Sequence, residues 1–359
     1  MTFKQDILSR FSAGTVEGPL YLPDLTLWYD WHQKNNSLPA KWQAYSLPQI
    51  ARALGVPIWL TVRPWRIETP GVEINTTENE QERVITAETS GGSLVWRWQV
   101  GPDGDWWQTD YPVRKAEDLP AALELVQARN YIVDSGALTT LATEVGDDGL
   151  LALEIPRRPY SILLHEFLGW SEGLLLLNEP IIEEINAILE EKMQAFVHEV
   201  VQLPGQIVFS PDNLDGQFIS PQAFSAYLAN SYRRTAEVVH AHAKKLLVHV
   251  GGPIRHLLDS LAGTGIDGLE GIAGLPQSNA TLSQAREITG PALTLWGGIP
   301  QDFLLANHPQ PEFEAAVVQT VQEAAEDARM IVGVADRVPV DAELSRLEAI
   351  PELVGRAWR

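Results

Sequence analysis

KKLLVHVGGPIRHLLDSLAGTGIDGLEGIAGLPQSNATLSQAREITGPALTLWGGIP, residues 244–300, decides the fold. It holds three short apolar runs: Leu246–Val250, Gly268–Glu270 with its flanks, and Ala292–Trp296. Each is too short for a helix and is bounded by Gly or Pro, so each reads as a buried strand. Between them, Pro253 to Leu261 puts Ile254, Leu257, Leu258 and Leu261 on one helical face. Thr281 to Thr289 opens on a capping threonine and carries Leu282, Ala285 and Ile288. Strand, helix, strand, helix, strand with short links is the pattern of a parallel sheet. The strands end in His249-Val-Gly-Gly, Glu270-Gly and Gly297-Gly-Ile-Pro. In such folds the carboxyl ends of the strands carry the chemistry.

Working outward, the same alternation predicts strands at Val56–Val62, Tyr131–Val133, Leu150–Ile155, Ile207–Ser210 and Met330–Val334. Long helices are predicted over Pro180–Leu203, with proline in the first turn, and from Ser220-Pro221 to about Ala243. A helix is also predicted over Pro311–Arg329, and the tail from Asp341 reads as helical. Ser161–Leu168 fits strand or helix, and the leucines that follow favour helix. About eight parallel strands, each followed by a helix, give an α/β chain of the TIM (β/α)8 barrel class. The alternative is an open doubly wound sheet, but no glycine-rich fingerprint opens the first βα turn. Residues 1–55 read as an N-terminal helical layer, with helices at Asp6–Phe11 and at Ser46–Leu54, the latter ended by Gly55. Residues 68–111 alternate or are β-branched, with a Gly-Pro-Asp-Gly turn at 101–104, and read as an antiparallel β-hairpin insertion. An acidic helix follows over 112–129. The organisation expected is one domain over 1–359.

With 359 residues, 45% of them hydrophobic, the chain has ample core. Its net charge of −21 argues against nucleic acid and anionic membrane surfaces as partners. It has no cysteine, which excludes disulfides and thiolate metal ligands. No apolar run approaches the ~20 residues of a membrane span, and the opening MTFKQDILSRFSAG lacks a signal-peptide core. A cytoplasmic protein is the expectation, with a small-molecule substrate. The insertion offers a surface for pairing two copies into a homodimer.

The polar candidates sit at predicted strand ends. His249 is the first, as a group able to bind a metal or move a proton. Glu270 and Asp336 end two other strands, and with His249 they make a set that suits zinc or iron. Asp212 and Asn213 follow the strand at 207–210 and could accept hydrogen bonds from a ligand, although DNLDG also suits an Asx turn. Arg63 and Arg66 flank Pro-Trp after the 56–62 strand and could clamp carboxylates. Arg157 and Arg158, also after a strand, offer the same, and Arg255 and His256 lie near a helix start. Trp59, Trp65 and Trp296 are the tryptophans kept as walls for a flat ligand. His240 and His242 are two apart on a helix and point in different directions. His165-Glu166 reads as core packing or as an approach to a barrel mouth.

FSPDNLDGQFISPQAFSAYLANSYRR, LLVHVGG, GIDGLEGI, TLWGGIP and IVGVADRVP, in that order between residues 209 and 339, resemble successive blocks of the uroporphyrinogen decarboxylase superfamily. The resemblance covers residues 150–355, and extends loosely to Leu22-Pro-Asp24 and to YPVRKAEDL at 111–119. It implies a TIM barrel and one of two activities. One branch decarboxylates uroporphyrinogen without a cofactor and carries an Arg-Gln-Ala-Gly-Arg loop after the first strand. Here the matching loop is Arg63-Pro-Trp-Arg66, one residue shorter and with a proline. The other branch moves methyl groups between corrinoids and thiols or pterins, and its thiol-activating members hold zinc through His-x-Cys and a later Cys. Here His249 is present, but Gly251 and about Ala335 stand where the cysteines would be. The layout resembles the methyltransferase-like branch more. It implies a corrinoid or a corrinoid protein as partner, and leaves room for a divalent metal such as zinc held without thiolate ligands. His249 and Glu270 would bind or polarise the reacting group, and Asp212 and Asn213 would orient it. Were the chain a decarboxylase, Arg63 and Arg66 would hold carboxylates, Asp212 would stabilise the protonated pyrrole, and no cofactor would be needed. A barrel that binds a tetrapyrrole or corrinoid without catalysis is the third reading.

Overall fold

The computed structural model describes residues 1–12, 16, 18–101 and 106–358. The turn expected at 101–104 falls largely on residues outside these. The chain forms two compact units: Met1–Arg63, Gly136–Glu154 and Leu203–Arg359 make the first, Pro64–Ser135 and Ile155–Gln202 the second.

The first unit holds eight parallel strands: β1 Leu20–Tyr21, β2 Ile58–Val62, β3 Gly149–Glu154, β4 Ile207–Leu214, β5 Lys245–Val250, β6 Gly268–Ile272, β7 Thr294–Pro300 and β8 Met330–Ala335. Pairing runs β1–β8–β7–β6–β5–β4–β3–β2, parallel at every step. This is the TIM-like barrel expected, with one change of membership. The predicted strand at 131–133 is not in it: Asn130–Val133 pairs antiparallel with Trp65–Glu68 in the second unit. The missing member is Leu20–Tyr21, a two-residue strand between Pro19 and Pro23, too short to show any periodicity.

Period-2 alternation decides what each strand turns inward. Leu20, Trp59, Leu150, Ala152, Ile207, Phe209, Leu247, Trp296 and Ile331 form one buried cluster contributed by seven strands. Trp59 of β2 meets Trp296 of β7 edge-on at 4.7 Å, and the Trp296 indole N–H donates to Leu22 O at 3.0 Å. The helix Phe3–Arg10, started by a Thr2/Gln5 capping box, adds Ile7, and Phe11 follows it into the same cluster. Lys4 N–H donates to Asp147 O, just before β3, and Thr294 Oγ1 at the start of β7 donates to Arg10 O. The helix therefore closes the amino-terminal end of the strands, and the polar ends of the strands lie at the other mouth.

Helices follow the strands as expected, although the segment after β5 is helical only over Leu258–Ala262. Gly55 ends the helix Leu47–Leu54 in the left-handed conformation, at φ 70°. In the second unit, Glu73–Glu78, Glu82–Thr89, Gly92–Val100 and Trp106–Asp110 form a four-stranded antiparallel sheet, the insertion expected at 68–111. Leu94, Trp96, Leu125, Phe167 and Ile185 share its core with the helices Leu119–Ala128 and Pro180–Val200. Residues 161–168 are helical, as the leucines favoured.

Candidate metal centre

On β5 the inward residue after Leu247 is His249, and Gly251-Gly252 then ends the strand. On β6 the register sets Glu270 directly opposite His249. Asp336 follows the last residue of β8. Three carboxyl-terminal strand ends thus deliver one imidazole and two carboxylates to one place. Each residue presents one ligand atom, and these atoms lie within 4.8 Å of one another. His249 Nδ1 is 2.6 Å from Glu270 Oε2, and Nε2 is 3.1 Å from Asp336 Oδ1. The second contact is not aligned as a hydrogen bond, and Asp336 Oδ1 is a buried oxygen without a hydrogen-bond partner. His249 and Glu270 are nearly buried, while Asp336 is 34% exposed. The Phe209 ring lies 6.3 Å from the imidazole.

The cluster's electrostatics follow from burial and pairing. Burial pulls the His249 pKa down, but Asp336 and Glu270 together overcome it and raise it to about 10. Burial raises Glu270 above the ordinary carboxylate range even against the pull of His249, and Asp336 and Asp24 add to the rise. At Asp336 burial is outweighed by His249 and Arg337, and the pKa falls to about 2. The imidazolium and Asp336 are therefore charged at neutral pH, and His249 and Glu270 compete for a proton across 2.6 Å.

Two glycines make room for this. Gly271 sits at φ +97°, and a Cβ there would come within 2.1 Å of Val250 O and 2.9 Å of His249 Cε1. At Gly251 a Cβ would lie 2.3 Å from Asn213 Oδ1. Asn213, itself at φ 49°, thus puts its amide where a side chain at 251 would go.

The other predicted residues go elsewhere. Asp212 lies outside the inward series of β4, fully buried, and its Oδ2 accepts from Ser210 Oγ and from Tyr232 OH, both at 2.6 Å. Tyr232 belongs to the helix Ala229–Ala241, so this carboxylate ties strand to helix. Trp296 is buried in the barrel cluster, in register beside Glu270. Arg63 pairs with Glu154 at 2.7 Å, two residues beyond the inward pairs Thr61 and Ala152. Arg66 belongs to the second unit and pairs with Glu68 at 2.5 Å. Trp65 packs there against Tyr131 and Phe196. Arg157 is half-buried in the second unit, where it lowers the pKa of a Tyr111 phenol that burial raises more strongly. Arg158 is fully buried in the same unit and donates to Pro156 O. His165 packs against Trp170, and Glu166 pairs with Arg129 at 3.0 Å. Arg255 N–H donates to Asn279 Oδ1, His256 Nε2 is 3.3 Å from Ile219 O, and exposed His240 bonds Asp267. Sequence reasoning passed over Glu154, Phe209 and Asp24. The first two were findable by counting inward positions along LLALE and IVF, and Asp24 by its place after the two-residue strand.

A parallel barrel with ionisable groups at the carboxyl ends of its strands has the architecture of the barrel enzymes. The chain belongs to the uroporphyrinogen decarboxylase (URO-D) family, whose pattern matches residues 174–357, just over half of its length. Among solved structures it is similar to a methyltransferase from Methanosarcina mazei, at 14% identity and a TM-score of 0.63, with 100% of both chains covered. That likeness is one of fold. A D-psicose 3-epimerase from Clostridium cellulolyticum H10 is far more distant, at 10% identity and a TM-score of 0.37 over 62% of this chain and 82% of that one. No curated protein sequence matches the chain. Among the described residues no helix is long and apolar enough to cross a membrane.

The donor set suits a divalent cation. One imidazole and two carboxylates fit zinc or iron, the three ligand atoms converge, and Asp336 Oδ1 is a buried acceptor that faces His249 Nε2 at 3.1 Å without an aligned hydrogen bond.

Proposed function

We propose that the protein is a methyltransferase-like enzyme of its family, with a divalent metal at His249, Glu270 and Asp336 and a corrinoid, free or protein-borne, as methyl donor or acceptor. The observation that carries this reading is the convergence of those three side chains at the mouth of the barrel. The chain-length likeness of fold to a protein described as a methyltransferase supports it. A bound zinc ion would supply Lewis acidity to the group that gives or takes the methyl. With no cysteine in the chain, its protein ligands are nitrogen and oxygen. Asp336 brings a full negative charge. His249 would give up a proton to serve as a ligand. Glu270 would bring the second carboxylate, and it holds the imidazole by Nδ1 at 2.6 Å.

The test follows the methyl–corrinoid absorbance of methylcobalamin while metal-loaded protein is offered thiol, alcohol and amine acceptors. Methyl loss that disappears in His249→Ala is the expected result. No transfer to any acceptor by folded, metal-loaded protein overturns the reading. Decarboxylation of uroporphyrinogen is the second reading, favoured by the family match itself. Formation of coproporphyrinogen would establish it in place of methyl transfer.

A further inference from the structure

Asp24 is an acid at the mouth that the ligand set leaves out. Strand β1 pairs with β8 in the register Leu20 with Ile331 and Tyr21 with Val332, and Leu22 N–H continues the ladder to Val332 O. Extending that register brings Asp24 level with the end of β8, where Asp336 begins. The backbone confirms the meeting: Asp24 O accepts from Val338 N–H at 3.2 Å, two residues beyond Asp336. Leu22 is inward, in the barrel cluster, and Asp24 follows it by two residues. The Asp24 carboxylate lies within electrostatic reach of Glu270. One of its oxygens also accepts from Thr26 N–H at 2.8 Å, at the start of the helix Thr26–Lys34.

We propose that Asp24 is a positioning residue of the metal centre, whose backbone carbonyl holds the Asp336 segment and whose carboxylate, without ligating, adds the charge that favours a dication there. This rests on the reading of His249, Glu270 and Asp336 as metal ligands. Without Asp24, those three carry a net charge of only one negative while His249 and Glu270 share a proton. Asp24 deepens the negative well at a site walled by low-dielectric core, where a fixed charge acts over several ångströms.

Asp24→Asn separates charge from scaffold. The amide oxygen still accepts from Thr26 N–H, and the backbone bond to Val338 is untouched. Zinc affinity of the full chain is measured by competition with a chromophoric chelator, for the wild type, Asp24→Asn and Asp30→Asn. Asp30 is an acid of the neighbouring helix, and its loss removes the same unit of charge. The expected result is affinity about tenfold weaker in Asp24→Asn and unchanged in Asp30→Asn. Equal affinity in Asp24→Asn and wild type overturns the inference while leaving the metal reading intact. Wild type that binds no zinc overturns the metal reading, and this inference with it. An equal loss in both variants also overturns it, because general charge would then be the cause. If Asp24→Asn fails to fold, Asp24→Ser, which keeps a side-chain oxygen able to accept from Thr26 N–H, takes its place under the same criteria.

Discussion

His249 holds its proton against a pKa raised to about 10, between Glu270 and Asp336. A metal must displace that proton, so apparent zinc affinity rises with pH, about tenfold per unit, up to about 10. Calorimetry in buffers of different ionisation enthalpy between pH 6 and 9 would show about one proton released per zinc; affinity flat with pH would contradict it. The same pKa has a stability consequence for the metal-free protein. A raised imidazole pKa stabilises fully below the unfolded value of about 6.5, and that share is lost as pH rises through about 10. Asp336 works in the opposite sense, stabilising above its ordinary range and losing the effect as pH falls through about 2. Asp212 belongs to a different account. Its two hydroxyl donors are buried, so Tyr232→Phe should cost about 1–3 kcal/mol of stability in urea melts and leave zinc affinity alone. A changed zinc affinity at full stability would return Asp212 to the site. Sequence could propose His249, Glu270 and Asp336 because each ends a strand. It could not separate them from Asp212, since a bulge in β4 between Ser210 and Leu214 breaks the simple count along the strand.

At the scale of elements, alternation and punctuation made seven of the eight barrel strands legible. Leu20–Tyr21 escaped because two residues carry no period, and 131–133 was miscounted because a short apolar run does not say what it pairs with. The glycines after the strands were readable as strand ends, but not what they clear. Gly271 is at φ +97°, against both the Val250 carbonyl and the His249 ring. Gly271→Ala should therefore destabilise the protein by on the order of 2 kcal/mol and weaken zinc binding together with it. A stable variant with wild-type zinc affinity would show that the close approach of β6 to His249 is not needed.

At the scale of the whole molecule, composition excludes cysteine as a ligand, and the order of βα units is enough to read the barrel. The grouping of 64–135 with 155–202 as a second unit was not legible, because a shared core such as Leu94 with Phe167 joins segments far apart in the chain. The barrel's own core is hydrocarbon, packed from seven strands and closed below by the helix Phe3–Arg10. Metal is therefore not what folds it. Treatment with a chelator should leave the circular dichroism unchanged, and free zinc at a hundredfold excess over Kd should stabilise by about 2.7 kcal/mol. Unfolding on chelation would contradict this division of labour.

The most direct measurement is the zinc X-ray absorption spectrum of protein loaded with one equivalent of zinc, for the wild type and His249→Ala. The arrangement of His249, Glu270 and Asp336 predicts a shell of nitrogen and oxygen at about 2.0–2.2 Å with a single imidazole, and loss of the imidazole signal in the variant. Zinc held by several imidazoles, or a spectrum that His249→Ala leaves unchanged, would place the metal elsewhere and contradict the centre described.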